Sequence, residues 1–539
     1  MNHLMKLIHS IKNNILFSLS ATGALIFHLA FAWQPLSRLE RFRLITGNGP
    51  LMDDSYIFFK ISKDIADWIA GFSPSFPFTS GFQPLIAFLY YPFFQLFWNS
   101  KELPIHLALS LNALLGFAAN LLLYRLLKQA AGRAIAAFLV SVWIWSPYVM
   151  YQSVNGMETT LALLMVLIAV SRYWQIIRRS ADDARSWCLL GLILGVGFWA
   201  RVDIAMLGAA IALDQLWLGV SRDRSLFTMR MRNILLCALT ALAVASPWII
   251  FTIADTGALL PISGRAVRLV TSVLFDFRHP GHRDFTSLMY LYFKKELFAF
   301  QPLAALTQYQ LWPLFITTLG LAGFFLALRD IRLRALLRPL WIFQVILVLS
   351  YIFVIGGFWH LNRYLYPVFT LLLFLHAATL AYVQSKLRLN ALPAGIILAA
   401  LCAVYIFSYG AQYRTQWSIQ LPARYLSASL FARERIPSGA KVGTFQSGCH
   451  SYWLDNQVVN LDGVVNRDAY FSLYAKTMDR YLEREKIDYL VEEVFLFKMW
   501  DEYLGGQLSR SYDMVDIRVE NKLGEANSKL GIYKRRKKE

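Results

Sequence analysis

Long apolar segments limit most strongly what this chain can fold into. Stretches rich in Ala, Leu, Phe and Ile recur along the sequence, and each is about 17 to 23 residues long, enough to cross a bilayer as a helix. The chain is 57% hydrophobic and only 16% charged, whereas about a quarter of the residues in a soluble domain are charged. The sequence therefore predicts a polytopic α-helical membrane protein.

Eleven apolar segments are candidate membrane spans, although two of them, 188–200 and 204–219, are short for a span. They are 14–33, 105–127, 134–150, 158–175, 188–200, 204–219, 233–253, 312–328, 339–357, 364–383 and 392–410. The pair 188–200 and 204–219 can also be interpreted as one long tilted helix. Charge favours two helices, because the short basic loops then all face the cytoplasm, as the positive-inside rule requires.

Two apolar segments allow another interpretation. The N-terminal run ends in AFA at 30–32, which resembles a signal-peptide cleavage site, but its length favours an uncleaved first helix. Segment 85–98 is about 14 residues long, which is short for a span, and it contains Pro92. We predict a re-entrant or interfacial helix there.

The predicted topology defines two domains. Residues 1–410 form the membrane domain, whose longest segments on the non-cytoplasmic side are 34–104 and 254–311. From about 420 the sequence alternates between strand-like and helix-like segments, which predicts a small soluble α/β domain over 411–539. We expect a protein of the bacterial cytoplasmic (inner) membrane, with its N-terminus in the cytoplasm and this domain in the periplasm or outside the cell.

The formal charge of +19 does not indicate a nucleic-acid partner. Its basic residues fall largely in short loops that are predicted to be cytoplasmic, where they can meet anionic lipid. The four cysteines show neither a disulfide framework nor the spacing of a metal site.

The stretch GPLMDDSYIFFKI, 49–61, places Asp53 and Asp54 side by side in this apolar chain. Neighbouring residues on a helix point in different directions, so both can serve one site only from a loop or a helix end. One of them can be a helix N-cap, which leaves the second unexplained. A carboxylate at the membrane surface can act as a general base on a hydroxyl group or bind Mg²⁺ or Ca²⁺. No oxygen-rich cage is visible, so metal use stays open.

Further polar side chains fall on the same predicted side of the membrane, where ionisable groups are usually functional. These candidate substrate-binding residues are Glu158, Arg201, Asp203, Arg265, His360, Arg363 and Tyr364. The planar guanidinium of arginine suits a lipid phosphate. Structural explanations are also open: a helix-start acid for Glu158, an internal ion pair for Arg201 and Asp203, and an interfacial anchor for Arg363.

The order and spacing of several motifs resemble the GT-C class of membrane glycosyltransferases. The motifs are MDDSYIFFKISKDIADWIAG, FTSGFQPLIAFLYYPF, NGMETTLALLM, RVD at 201–203, TGALLPISGRAV, RYLYPV and VVNLDGVVN. The pattern is most similar to the mycobacterial terminal arabinofuranosyltransferase family and its bacterial relatives. Two positions depart from it: Asn155 stands where Ser is usual, and Val202 stands where Pro is usual.

This resemblance implies a large extracytoplasmic cavity beneath a soluble C-terminal domain. It also implies that Asp53 or Asp54 is the catalytic base, and that a sugar moves from a polyprenyl-phosphate donor to a glycan or glycolipid hydroxyl, with inversion. Two alternatives remain. A transporter or flippase of lipid-linked sugar would place its ionisable groups nearer the midplane, and an oligosaccharide polymerase or ligase would use a lipid-diphosphate glycan.

Overall fold

The computed structural model describes residues 2–42, 49–71, 79–179, 183–220, 224–278, 322–326, 331–355, 361–386, 414, 425–520 and 528–536. Up to residue 386, the described chain consists of helices and connecting turns. The helices are α1 (Asn2–Ala32), α2 (Leu36–Leu39), α3 (Asp53–Ile69), α4 (Pro84–Leu96), α5 (Leu103–Ala131), α6 (Arg133–Ile144), α7 (Pro147–Ser153), α8 (Thr159–Arg179), α9 (Ala184–Ala200), α10 (Ile204–Val220), α11 (Arg224–Thr256), α12 (Ile262–Arg278), α13 (Ile331–Ser350), α14 (Leu361–Tyr364) and α15 (Tyr366–Lys386). A π-helical turn, Tyr351–Ile355, follows α13.

Four described helices are long and apolar enough to cross a membrane. They are Leu103–Ala131, Thr159–Arg178, Phe227–Thr256 and Leu336–Ile355. Shorter apolar helices occur at Phe17–Ala32, Pro84–Leu96, Ala184–Ala200 and Ile204–Trp217. The predicted multi-pass helical membrane protein agrees with these helices, whereas the number of eleven spans stays a prediction. Predicted span 392–410 lies outside the described residues, as does span 312–328 except for helical residues 322–326.

The chain bends within predicted span 134–150, which consists of two helices. Helix α6 ends at Ile144 and α7 begins at Pro147, and the two helices meet at 66°. Proline has no N–H to donate back to the preceding turn. Ser146 instead caps the new helix, and its hydroxyl accepts a hydrogen bond from Val149 N at 3.3 Å.

The chain between α9 and α10 forms a short break. Helix α9 ends at Ala200, Arg201 is extended with φ −159° and ψ 129°, and α10 starts at Ile204. The segment predicted as either one helix or two therefore forms two. Its polar residues Arg201 and Asp203 lie in the break, where their side chains can leave the helix axis.

The turn between α7 and α8 packs directly on α3. Ser55 donates a hydrogen bond to the carbonyl of Asn155 at 2.6 Å. Gly156 has a positive φ of 68°, and a Cβ there would lie 2.4 Å from the Phe59 ring. Only glycine combines this backbone conformation with so close an approach. The contact fixes the residues that open α8 against the helix that begins with Asp53.

The C-terminal part, residues 425–536, contains a five-stranded mixed sheet. Its elements are α16 (Tyr425–Arg435), β1 (Val442–Thr444), α17 (Ser447–Trp453), β2 (Val458–Asn460), α18 (Arg467–Tyr474), α19 (Met478–Arg484), β3 (Tyr489–Glu493), α20 (Val494–Tyr503), α21 (Gln507–Ser511), β4 (Tyr512–Glu520) and β5 (Ser528–Arg535). The strand order is β2-β1-β3-β5-β4. β1 pairs in parallel with β2 and β3, and β5 is antiparallel to β3 and β4.

Aromatic side chains fill the space between the sheet and its helices. Phe445 and Trp500 stack with their ring centroids 4.9 Å apart, and Phe497 and Tyr533 stack at 3.9 Å. Rings of this size bury much apolar surface and gain further energy from their geometry. This core positions Phe445 and Trp500 at the face that meets the membrane domain.

The C-terminal part contacts the membrane domain through short loops as well as helices. Tyr452 donates a hydrogen bond to the carbonyl of Lys101 at 2.7 Å. Gly81 lies so near the other part that a Cβ would be 1.9 Å from the Val464 carbonyl oxygen. The loop before α4 therefore touches the C-terminal part through its backbone.

Candidate functional site

A cavity of about 600 Å³ lies between the membrane domain and the C-terminal part. The membrane domain contributes the start of α3, the α9–α10 break, α12 and the residues around α14, and the C-terminal part contributes Phe445, Asp462 and Trp500. Eight of the nine predicted site residues line this cavity: Asp53, Asp54, Glu158, Arg201, Asp203, Arg265, Arg363 and Tyr364. The ninth, His360, lies outside the described residues.

The carboxylate of Asp53 binds the C-terminal part. It accepts hydrogen bonds from the backbone N–H groups of Gly448 at 3.0 Å and Cys449 at 2.8 Å, one on each oxygen. These donors belong to the first turn of α17, so Asp53 caps that helix from another part of the molecule. Neither aspartate is the N-cap of α3, because that position is occupied by Met52.

Asp54 forms an ion pair with an arginine that also lines the cavity. Its Oδ2 accepts a hydrogen bond from Arg363 Nη1 at 2.9 Å, and its side chain keeps 36% of its surface exposed. Arg363 lies on α14 and also donates to the hydroxyl of Tyr364 at 3.0 Å. The two aspartates thus make different contacts, and Asp54 remains accessible from the cavity.

A buried ion-pair network fills the α9–α10 break. Arg201, which is 3% exposed, donates from Nε to both oxygens of Asp203 at 3.1 Å. It also donates to the Tyr351 hydroxyl at 2.8 Å, and its Nη1 lies 3.5 Å from Glu158 Oε1. Two carboxylates therefore neutralise Arg201, as expected for a buried cation.

Aromatic rings connect this network to the Asp54 pair. The ring of Tyr364 stacks on Tyr351 with centroids 4.6 Å apart. The guanidinium of Arg201 lies 5.2 Å from the centre of the same ring, and that of Arg363 lies 4.8 Å from it. Both cations are within the range of a cation–π contact, so Tyr364 lies between two arginines.

Arg265 and Arg268 lie on the α12 wall of the cavity. Neither makes a hydrogen bond or an ion pair with another described residue, although both lie near Tyr470. Arg265 is partly buried and Arg268 is exposed. Unpaired guanidinium groups on a cavity wall can bind an anion, and their planar fork fits a carboxylate or a phosphate.

Two acceptor atoms in the cavity wall have no donor among the described residues. They are Oε2 of Glu158, which is 3% exposed, and Oε1 of Gln83. Buried oxygens normally accept a hydrogen bond. Because they line the same cavity as Asp54 and Arg363, this wall is suitable for a ligand that carries hydroxyl groups.

Asp462 enters the cavity from the C-terminal part. It accepts hydrogen bonds from Asn460 Nδ2 at 2.7 Å and Val464 N at 2.9 Å. Burial raises the pKa of its carboxyl group to about 7, and the nearby charges of Asp53 and Asp54 add to the rise. Its motif, VVNLDGVVN, is one of those that resemble the GT-C class, but the sequence alone did not predict Asp462 as a site residue.

The described side chains around Asp53 and Asp54 do not gather the ligands of a metal site. Each oxygen of Asp53 already accepts one backbone N–H group. Within the described ranges, no group of three or more His, Cys, Asp or Glu side chains is gathered closely enough to hold a metal.

Sequence comparison finds a family match over part of the chain. The Alg9-like mannosyltransferase family matches residues 70–256, and a domain of unknown function (DUF8728) matches residues 406–532. No curated protein matches the sequence. The mannosyltransferase match includes the turn with Glu158 and the break with Arg201, but it stops before α12.

Solved structures with a similar fold share little sequence identity with this chain. The Archaeoglobus fulgidus oligosaccharyltransferase, tethered to an acceptor peptide, has a TM-score of 0.55 at 12% identity, over 92% of this chain and 72% of that one. ArnT from Cupriavidus metallidurans bound to undecaprenyl phosphate has a TM-score of 0.55 at 13% identity, over 97% of this chain and 98% of that one. At such identities the likeness shows the fold.

Three findings now agree: the helical membrane architecture, the family match that includes part of the cavity wall, and the fold shared along almost the whole chain. The motifs that resemble the GT-C class lie around one cavity. Together, the family match and the structural neighbours support a membrane glycosyltransferase of the GT-C class.

Proposed function

We propose that this chain transfers a sugar from a polyprenyl-phosphate donor to a hydroxyl group of a cell-envelope glycan or glycolipid, with Asp54 as the general base. The observation that carries this proposal is the different use of the two aspartates. Asp53 is occupied by two backbone N–H groups, whereas Asp54 is partly exposed in the cavity beside Arg363. A base must reach the proton that it removes.

The reaction is a single displacement at the anomeric carbon. Asp54 takes the proton of the acceptor hydroxyl, and the acceptor oxygen forms a bond to the anomeric carbon from one face. The bond from that carbon to the phosphate oxygen breaks on the opposite face, and its electron pair leaves with the polyprenyl phosphate. One displacement inverts the configuration of the sugar.

The donor phosphate lies against α12 in this proposal. Arg265 and Arg268 line the cavity without ion-pair partners among the described residues, so they can meet the charge that grows on the leaving phosphate. Arg201 is less suited to this task because Asp203 and Glu158 neutralise it. Arg201 instead holds the wall, and Glu158 offers Oε2 to a sugar hydroxyl.

The similar structures support this class of donor. ArnT was solved with undecaprenyl phosphate, a polyprenyl phosphate, and its fold covers nearly all of this chain. The matched family is named for a mannosyltransferase, whereas the sequence motifs resemble arabinofuranosyltransferases. The donor sugar is therefore either a hexose such as mannose or a pentose such as arabinofuranose, and an experiment is needed to distinguish them.

The proposed orientation places the cavity on the extracytoplasmic side of a bacterial inner membrane. The N-terminus is then cytoplasmic, and the C-terminal part forms an extracytoplasmic α/β domain. Basic short loops carry this assignment through the positive-inside rule. External labelling of single cysteines placed at Lys101 and Lys128, on opposite predicted faces, tests it directly.

A donor panel tests the proposed reaction. The purified protein in nanodiscs is mixed with radiolabelled polyprenyl-phosphate mannose or polyprenyl-phosphate arabinofuranose and a cell-envelope lipid extract as acceptor. We expect label to move from one donor into a new glycolipid, with release of polyprenyl phosphate. In proteoliposomes, movement of intact donor between leaflets without release of polyprenyl phosphate would support a flippase. Transfer only from lipid-diphosphate glycans would support a polymerase or ligase.

A further inference from the structure

Glu40 lies outside the cavity lining but occupies a junction between three parts of the molecule. It follows α2 in the segment before Asp53 and is 4% exposed. Its Oε2 accepts a hydrogen bond from the backbone N–H of Tyr425 at 2.9 Å, and the N–H of Leu426 lies 3.0 and 3.1 Å from its two oxygens. The carboxylate therefore caps the first turn of α16.

The same carboxylate holds α3. Tyr56, which is fully buried, donates its hydroxyl to Glu40 Oε1 at 2.8 Å. Tyr56 lies in the first turn of α3, directly after the segment that contains Asp53 and Asp54. One buried side chain thus joins the helix that presents Asp54 to the helix whose first residue, Tyr425, lines the cavity.

In the described part of the chain Glu40 makes no ion pair, although the charge of Arg41 lies near enough to act on it. Its hydrogen-bond partners are the N–H and O–H donors named above. Glutamine in its place would keep one acceptor oxygen but turn an NH₂ group toward donors. A group with the same shape and the wrong polarity would loosen the junction, because buried donors would lose their acceptor.

We propose that Glu40 is a positioning residue for sugar transfer. It sets the distance between α3 and α16, and therefore the position of Asp54 relative to Tyr425 and to the C-terminal part that lines the cavity. The inference rests on the proposed function for its effect on rate. Transfer reactions are sensitive to shifts of about 1 Å in the geometry of the reacting groups. A group that acts through position changes kcat more than the binding of the donor.

The chain offers a matched control in Asp501. Its Oδ1 accepts the backbone N–H groups of Leu508 at 2.8 Å and Ser509 at 3.0 Å, so it also caps a helix with a carboxylate. This helix, α21, belongs to the same C-terminal part as Asp501. Asp501→Asn therefore takes the charge from a carboxylate cap of the same kind, and weakens that cap, without affecting α3.

The experiment compares Glu40→Gln with Asp501→Asn in the full-length protein in nanodiscs. We expect Glu40→Gln to lower kcat by about tenfold or more, to leave the donor KM within about twofold, and to act non-additively with Tyr56→Phe. Asp501→Asn should leave kcat unchanged even where it lowers Tm. If kcat falls in proportion to the loss of Tm, and does so to the same degree in both variants, the positioning role is wrong.

Hydrogen exchange provides a readout that does not depend on activity. Glu40→Gln should raise amide exchange in both 53–58 and 425–430, whereas Asp501→Asn should raise it only around 507–511. Unchanged exchange in 53–58 would contradict the inference. If Asp54→Asn is inactive while Glu40→Gln is fully active, the positioning role of Glu40 is wrong and the proposed function stands. If the wild-type protein transfers no sugar, the proposed function is wrong, and the hydrogen-exchange result alone tests whether Glu40 holds α3 and α16.

Discussion

Asp53 and Asp54 are neighbours in the chain, yet their carboxylates hold groups from different parts of the protein. Asp53 accepts the N–H groups of Gly448 and Cys449 in the C-terminal part, and Asp54 pairs with Arg363 of the membrane domain. The first turn of α3 thereby joins both walls of the cavity. Adjacent side chains on a helix diverge by about 100°, which is why two residues are needed to reach both.

The hydrogen bonds of Asp53 predict that a variant at this position weakens the contact between the membrane domain and the C-terminal part, while the proposed base, Asp54, is kept. Asp53→Asn leaves one acceptor oxygen for two N–H donors and removes the charge, which should destabilise the contact by about 1–3 kcal/mol. We expect lower Tm and faster amide exchange over 447–453. Asp67→Asn, on the same helix and in a partly exposed pair with Lys63, is the control and should change neither quantity.

The arginines of α12 predict weaker donor binding when they are neutralised. Arg265→Gln with Arg268→Gln should raise the donor KM by about tenfold or more and weaken binding of undecaprenyl phosphate, because charge-assisted contacts to the phosphate are lost. Arg278→Gln, on the same helix but outside the cavity, should leave both unchanged. Equal affinity in the double variant and the wild type would exclude α12 as the phosphate site.

Buried charges around Arg201 predict a non-additive effect on stability. Arg201→Ala leaves Asp203 and Glu158 without their cation, which should destabilise the protein by about 3–5 kcal/mol. Removing Asp203 as well relieves part of that loss, so Arg201→Ala with Asp203→Ala should have a higher Tm than Arg201→Ala alone. Thermal unfolding in detergent measures both, and a double variant less stable than either single one would contradict the network.

Glu492 predicts how stability changes with pH in the C-terminal part. This buried carboxyl group accepts the N–H of Phe445 at 2.7 Å, but burial is the larger effect and raises its pKa from 4.5 to about 8. The folded state therefore holds a proton that the unfolded state has lost between these values. Its contribution to stability is full below pH 4.5 and falls as the pH rises toward 8.

Glu492→Gln removes this titration, so Tm should fall less between pH 5 and pH 8 in the variant than in the wild type. Part of the fall in Tm with pH should remain in the variant, because burial also raises the pKa values of Asp462 and Glu40 to about 7. Glu502→Gln, at an exposed carboxyl group of the same C-terminal part, is the control. Parallel Tm curves for Glu492→Gln and the wild type would show that Glu492 does not titrate in this window.

The sequence could predict the cavity residues whose chemistry stands out against apolar surroundings. Charged pairs such as Asp53–Asp54 and Arg201–Asp203 are conspicuous near spans, and the bend at Pro147 was available from the same reasoning about proline. Tyr351 was hidden because a tyrosine inside an apolar segment is ordinary.

Pairings over long sequence distances were beyond sequence reasoning. The contact between Asp53 and Cys449 joins residues 396 positions apart, and no local pattern encodes it. Glu40 is a single acid in a polar segment, which carries no signal until α16 is placed over it. The sequence therefore indicated that the two aspartates matter without saying that they act differently.

The most direct test compares sugar transfer by Asp54→Asn and Asp53→Asn in nanodiscs, with the labelled donor that the wild-type protein accepts. We predict that Asp54→Asn lowers kcat by at least about 100-fold, the usual contribution of a general base, while donor binding persists. Asp53→Asn should retain more activity than Asp54→Asn at a lower Tm. Full transfer by Asp54→Asn, or a larger loss of kcat in Asp53→Asn, would contradict the assignment of Asp54 as the base.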